Sequence, residues 1–310
     1  MRAAWFWLVV GIAASVLIGR EWAGSGEAPV PPVGARPAQS APPARSVPAP
    51  GMDAGANEAS ALPVGVRIAS SAELVRKFNT APSLRAFVYE ALKKPEEGGY
   101  QYAFAALGFC KYDGTTLPVA PTATTRQHEA TEALARRCDM SAAERDAARM
   151  QITADRKASF DRDPYLALAF DRLTALDGAS QHKVISQVLD TQDPLTMQSL
   201  DHEVSYIQDG RELRGVYFAG RYYPGGDGNS MFDYALLLAQ CSVGLDCGPG
   251  SLPLLMMCIQ KDWCGESVNE ALRNGLGPQQ TSLYAQVETL AARLAYEIKR
   301  KNAAAFVAGP

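Results

Sequence analysis

Residues 241–264 read CSVGLDCGPGSLPLLMMCIQKDWC, and four of the chain's six cysteines fall within them. The apolar runs before Cys241 (FDYALLLAQ) and before Cys258 (LPLLMM) predict two helices, while VGLDCGPGS between them is turn-forming. Each helix thus carries one cysteine in its last turns and a second just beyond its end. A zinc site asks for closely paired ligands, such as CxxC twice; here five residues separate each pair and no histidine lies nearby. Thiol exchange asks for a CxxC-like pair at a helix start, and that spacing is absent as well. The remaining reading is structural. Cys241 with Cys247 and Cys258 with Cys264 is the simplest connectivity, and it leaves Cys110 to pair with Cys138. The rival joins the two helices instead, Cys241 to Cys258 and Cys247 to Cys264.

Cystines require an oxidising compartment, and the start of the chain points to one. Arg2 precedes an uncharged run, residues 3–19, which Arg20 and Glu21 close. Seventeen residues at the helical rise span roughly 26 Å, near the short end of what crosses a bilayer. Trp5, Trp7 and Trp22 stand where an interfacial aromatic belt would lie, so residues 1–23 read as an uncleaved membrane anchor. The alternative is a signal peptide cut after Ala23 and Ser25. With Arg2 held inside, the rest of the chain is expected on the far side, in the periplasm of a bacterium.

Residues 24–62 hold eight prolines and almost no large side chains. Such a segment cannot offset its conformational entropy by burial, and it is expected to be a disordered spacer. Residues 63–310 form the expected domain. The chain is 47% apolar and 20% charged, enough for a sizeable core, and its net charge of −3 with no dense Lys/Arg run argues against nucleic acid.

The pattern after residue 62 is helical. Leu84, Phe87, Val88, Ala91 and Leu92 fall on one face, Pro95 to Gly99 stop that helix, and a second helix over residues 100–111 closes a hairpin. Ser141 with Glu144 is a capping box, and Asp163-Pro164 and Asp193-Pro194 each supply a cap acceptor followed by proline. The two Asp-Pro starts lie thirty residues apart, before Leu166, Phe170, Leu173, Leu176 and before Met197, Leu200, Val204, Ile207. That spacing suggests a short stack of helical hairpins, with an irregular bundle as the alternative. Residues 281–301 predict a final amphipathic helix through Leu283, Val287, Leu290, Leu294 and Ile298. The fold class expected is all-α and disulfide-stapled, with VYFAGRYY at 216–223 the one doubtful place.

Chemical motifs are sparse. His128-Glu129 and His202-Glu203 do not continue to HExxH, His182 stands alone, and no GxSxG, GxGxxG or Walker pattern occurs. Asp227 and Asn229 in GGDGNS lack the other ligands of a calcium loop. No catalytic residue, metal ligand or cofactor is therefore assigned.

The layout of anchor, Ala/Pro-rich spacer and helical domain resembles that of lipase-specific foldases, steric chaperones of secreted lipases. Their RxxFDY motif is matched in part by Asn229-Ser-Met-Phe232-Asp233-Tyr234-Ala235-Leu236. Asn229 replaces the leading arginine, the motif stands far into the domain, and paired cysteines follow it. The reading of Phe232 and Tyr234 as helix-packing aromatics is the stronger one. Composition and architecture together lead to a membrane-tethered, periplasmic protein-binding or scaffold module. A chaperone-like helper and a cell-envelope hydrolase are the alternatives.

Overall fold

A computed structural model describes residues 69–114, 120–170, 176–208, 211–224 and 231–308. The expected anchor and spacer lie outside the described residues. Among the described residues no helix is long and apolar enough to cross a membrane.

Helices α1 (Ala72–Thr80), α2 (Leu84–Ala91) and α3 (Gly99–Phe109) open the domain. Ser83 caps α2 by accepting from the Ala86 N–H, and Asp139 in turn accepts from the Ser83 hydroxyl. The expected hairpin of α2 and α3 forms across a 3₁₀ turn, Pro95–Glu97. Gly99 is demanded there, because a Cβ would stand 1.9 Å from the Ala91 carbonyl oxygen.

Four helices follow: α4 (Thr125–Arg137), α5 (Ala142–Thr153), α6 (Arg156–Arg162) and α7 (Pro164–Phe170). Ser141 and Glu144 close the expected capping box, and Thr124 with Gln127 makes another on α4. The Arg137 guanidinium near the end of α4 donates to the Ala81 and Phe78 carbonyls, which α1 leaves without helical partners. Helix α8 (Gly178–Thr191) starts on an Asp177 cap.

The chain then departs from the all-α expectation. Met197, Leu200, Val204 and Ile207 do not share one helix: a 3₁₀ stretch, Thr196–Asp201, gives way to strand β1 (Val204–Gln208). Strands β2 (Arg211–Phe218) and β3 (Arg221–Pro224) complete an antiparallel sheet in the order β1-β2-β3. Pairing of Gln208 with Arg211 brackets Asp209-Gly210, the dipeptide with the strongest hairpin preference. Ala219 and Gly220, at φ 49° and 86°, form the two-residue turn between β2 and β3. The sheet replaces the second helical hairpin, so the domain is mostly helical but not a repeat stack.

Helices α9 (Met231–Cys241), α10 (Leu252–Lys261), α11 (Val268–Leu276) and α12 (Thr281–Lys299) finish the fold, with a terminal 3₁₀ turn at Ala303–Phe306. Two apolar clusters result. One gathers α1 to α5 around Phe78, Leu84, Leu107 and Leu134; the other joins α8, the sheet and α9 to α12 around Val184, Phe218, Phe232 and Leu294. Helix α10 belongs to both: Leu252, Leu255 and Met256 face the first cluster, Leu254 and Met257 the second. An apolar helix buried on nearly every side is what LPLLMM encodes.

Candidate functional site

The cysteines are placed by helix ends. Cys241 is the last residue of α9 and bonds Cys247 in the loop beyond; Cys258 lies in the closing turns of α10 and bonds Cys264 past its end. Cys110, in the 3₁₀ turn after α3, bonds Cys138 at the C-cap of α4. Each bridge therefore closes its own corner, and none of the three crosses from α9 to α10. No cysteine remains free, so no thiolate is offered to a metal or a disulfide exchange. Among the described residues no group of three His, Cys, Asp or Glu side chains is placed to hold a metal ion.

The two Asp-Pro caps converge on α3. Asp163 has no exposed surface; its carboxylate accepts from the Leu166 N–H at 2.8 Å, capping α7, and from the Gln101 N–H at 3.0 Å in the first turn of α3. Asp193 is equally buried. It accepts from the Ser71 hydroxyl and the Tyr102 hydroxyl, both at 2.7 Å, and from the Thr196 N–H at 2.8 Å. The Tyr165 hydroxyl adds bonds to Ser71 N–H and the Ala69 carbonyl, fastening the first described residues. Burial, then the Asp193 charge, pushes the Tyr102 phenol well above its usual range. Because its donors and acceptors are matched, this network is suited to holding three helix ends together.

The histidines are dispersed in role. His128 on α4 and His182 on α8 are exposed. His202 follows the 3₁₀ stretch, and burial lowers its imidazole to about 4, leaving it neutral at pH 7. Its neighbour Asp201 is raised to about 8 by burial and by the charges of Asp233 and Glu203. Sequence reading passed over Asp201, since nothing in its local pattern announces burial. Asp227 and Asn229 lie outside the described residues. Phe232 is fully buried against Phe218 and Tyr223, and Tyr234 packs on Trp263. Both aromatics of the foldase-like motif therefore serve the core.

The most distinctive surface is the sheet. Val216, Phe218 and Tyr223 point inward, yet the β1–β2 end extends past the core. Ile207 is 71% exposed on one face and Leu213 38% on the other. Register places Leu213 opposite Tyr206, and Tyr217 opposite Tyr222, on the outer face. The Tyr206 ring stacks on Tyr222 with centroids 4.3 Å apart, and Tyr217 meets Tyr222 edge-on at 5.1 Å. Gly215 makes the stack possible, since a Cβ would meet the Tyr206 ring at 3.0 Å and the Tyr223 carbonyl at 2.3 Å.

Comparison with known proteins adds no relative: no protein-family model, no curated protein and no solved structure matches the chain.

Proposed function

We propose that the protein is a membrane-tethered, extracytoplasmic binding module without catalytic activity, and that the β1–β2 arm carries its contact with a protein partner. The exposure of Ile207 and Leu213 on opposite faces of one projecting hairpin is the observation that supports this most. An isolated exposed apolar side chain is ordinary, but Ile207 on the edge strand β1, which is free of Lys and Pro, with Leu213 exposed on the neighbouring strand β2 makes a surface suited to pairing. The cystines favour an oxidising compartment, and residues 3–19 followed by the Pro-rich spacer would hold the domain at a membrane surface there. The foldase-like reading is weaker on this evidence, because Phe232 and Tyr234 are unavailable for contact.

A photo-crosslinking residue placed at Ile207 or Leu213, in cells of the native host, tests the reading. It should trap a discrete protein partner, while the same residue at exposed Tyr296 on α12 should not. Equal labelling at all three positions would refute it.

A further inference from the structure

The sheet ends on an open edge. Its strands lie in the order β1-β2-β3, and among the described residues no backbone hydrogen bond reaches β1 from any segment other than β2. Gln208 and Arg211 flank the two-residue turn as a hydrogen-bonded pair, and along an antiparallel ladder such pairs alternate with unbonded ones. Tyr206 with Leu213 and Val204 with Gly215 are then bonded, whereas Ser205 and Ile207 turn their N–H and C=O groups away from β2, towards the edge. Both residues are exposed. The rings of Tyr206 and Tyr222 meet across β2 with centroids 4.3 Å apart, so the Tyr206 side chain leans inward over the sheet and leaves the edge clear.

Strand β1 carries none of the usual protections of an edge: it has no Pro and no charged side chain, and its register with β2 runs through without a bulge. Charge decides what fits beside it. Val204, Tyr206, Gln208, Arg211 and Leu213 share the outer face, where Arg211 is exposed next to Gln208 and has no acidic partner among the described residues. The opposite face carries both signs, Glu212 with Arg214, and Arg214 is joined to Glu203 at 3.7 Å. A second copy of the chain does not answer Arg211. Two β1 strands paired about Tyr206 would put Val204 of the second copy beside Gln208, and alternation would turn its Glu203 to the far face.

We infer that β1 receives an extended, acid-bearing segment of another protein as an added strand, through main-chain bonds at Ser205 and Ile207 and with an aspartate or glutamate on the outer face beside Gln208, where it meets Arg211. The added backbone would lie about 10 Å from β2, a gap that an arginine and a carboxylate side chain span together. The inference rests on the reading of the β1–β2 arm as the partner surface, and it names the mode of contact and the chemistry of the segment bound.

A phage-displayed library of random nonapeptides, panned against the full-length protein, tests the inference. Retained peptides should alternate β-branched or aromatic residues and carry Asp or Glu at one fixed place. Arg211→Ala should erase that acidic preference and weaken the retained peptides by roughly threefold, as for an exposed ion pair. Ser205→Pro removes an N–H that the β1–β2 ladder does not use, so it should abolish retention while the Tyr206–Tyr222 stack keeps its near-ultraviolet circular dichroism; Ser205→Ala should retain the peptides. In the wild type, a synthetic copy of a retained peptide should slow amide hydrogen exchange at Ser205 and Ile207 at least about tenfold, which reads the same bonds without any variant. No retained peptide, retention that survives Ser205→Pro, or unchanged exchange at those two amides would overturn strand addition. The partner reading fails separately. A crosslinker at Leu213 that traps one protein equally in wild type and in Ser205→Pro would leave a partner and overturn strand addition, whereas no trapped protein in wild type would sink the partner reading itself.

Discussion

The buried carboxylates act as caps. Asp163→Ala would leave the Gln101 and Leu166 N–H groups without acceptors at two helix starts, an expected loss of about 2–3 kcal/mol. Urea unfolding checks this, and Asp161→Ala, on the exposed side of α6, should cost far less. Asp201 sets a pH dependence. Its folded pKa of about 8 lies above the ordinary unfolded value, so the folded state holds a proton that the unfolded chain has released. The stability that proton confers is lost as pH rises towards 8. His202 has the opposite sign: lowered to about 4, it takes stability away only as pH falls below its ordinary value. Asp163, raised by burial to about 7, adds a loss of the same sign up to that pH, so between pH 7 and 8 the Asp201 carboxyl governs, and stability should decline across that window. Asp201→Asn should flatten the decline, whereas an unchanged slope would contradict the raised pKa. The caps were legible in the sequence, because Asp-Pro and Ser-x-x-Glu act through neighbouring backbone. That both aspartates serve α3 was not, since it depends on packing of segments up to 91 residues apart.

At the scale of elements, the bridges differ in leverage. Cys110–Cys138 closes a sequence separation of 28 and the other two close separations of 6, so the loop-entropy account assigns about 3–4 kcal/mol to the first and about 2 kcal/mol to each of the others. Removing each pair as Cys→Ala double variants and comparing denaturation midpoints should reproduce that order. Gly215→Ala would drive a methyl into the Tyr206 ring and the Tyr223 carbonyl. Loss of the Tyr206–Tyr222 stack should follow, seen as a change in near-ultraviolet circular dichroism while the helical signal stays. The strands escaped a periodicity reading for a physical reason. Met197, Leu200, Val204 and Ile207 have helical spacing, but that spacing straddles a 3₁₀ turn and a strand. Asp209-Gly210, between VSYIQ and RELRGVYF, was the signal that outweighs it.

Across the whole molecule, α10 is the keystone, sharing its side chains between both apolar clusters. Leu254→Ala and Leu255→Ala, one facing each cluster, should each cost about 2–5 kcal/mol. Helical content and the stapled helix ends were readable from 241–264, because apolar runs closed by cysteines are local facts. The two-cluster arrangement was not, because it rests on which neighbours meet α10. Each bridge closes its own corner, and non-reducing peptide mapping of protein from its native host checks that pairing. Cross-linked peptides joining Cys110 to Cys138, Cys241 to Cys247 and Cys258 to Cys264 are the result expected. Free thiols, or a peptide joining Cys241 to Cys258, would contradict it.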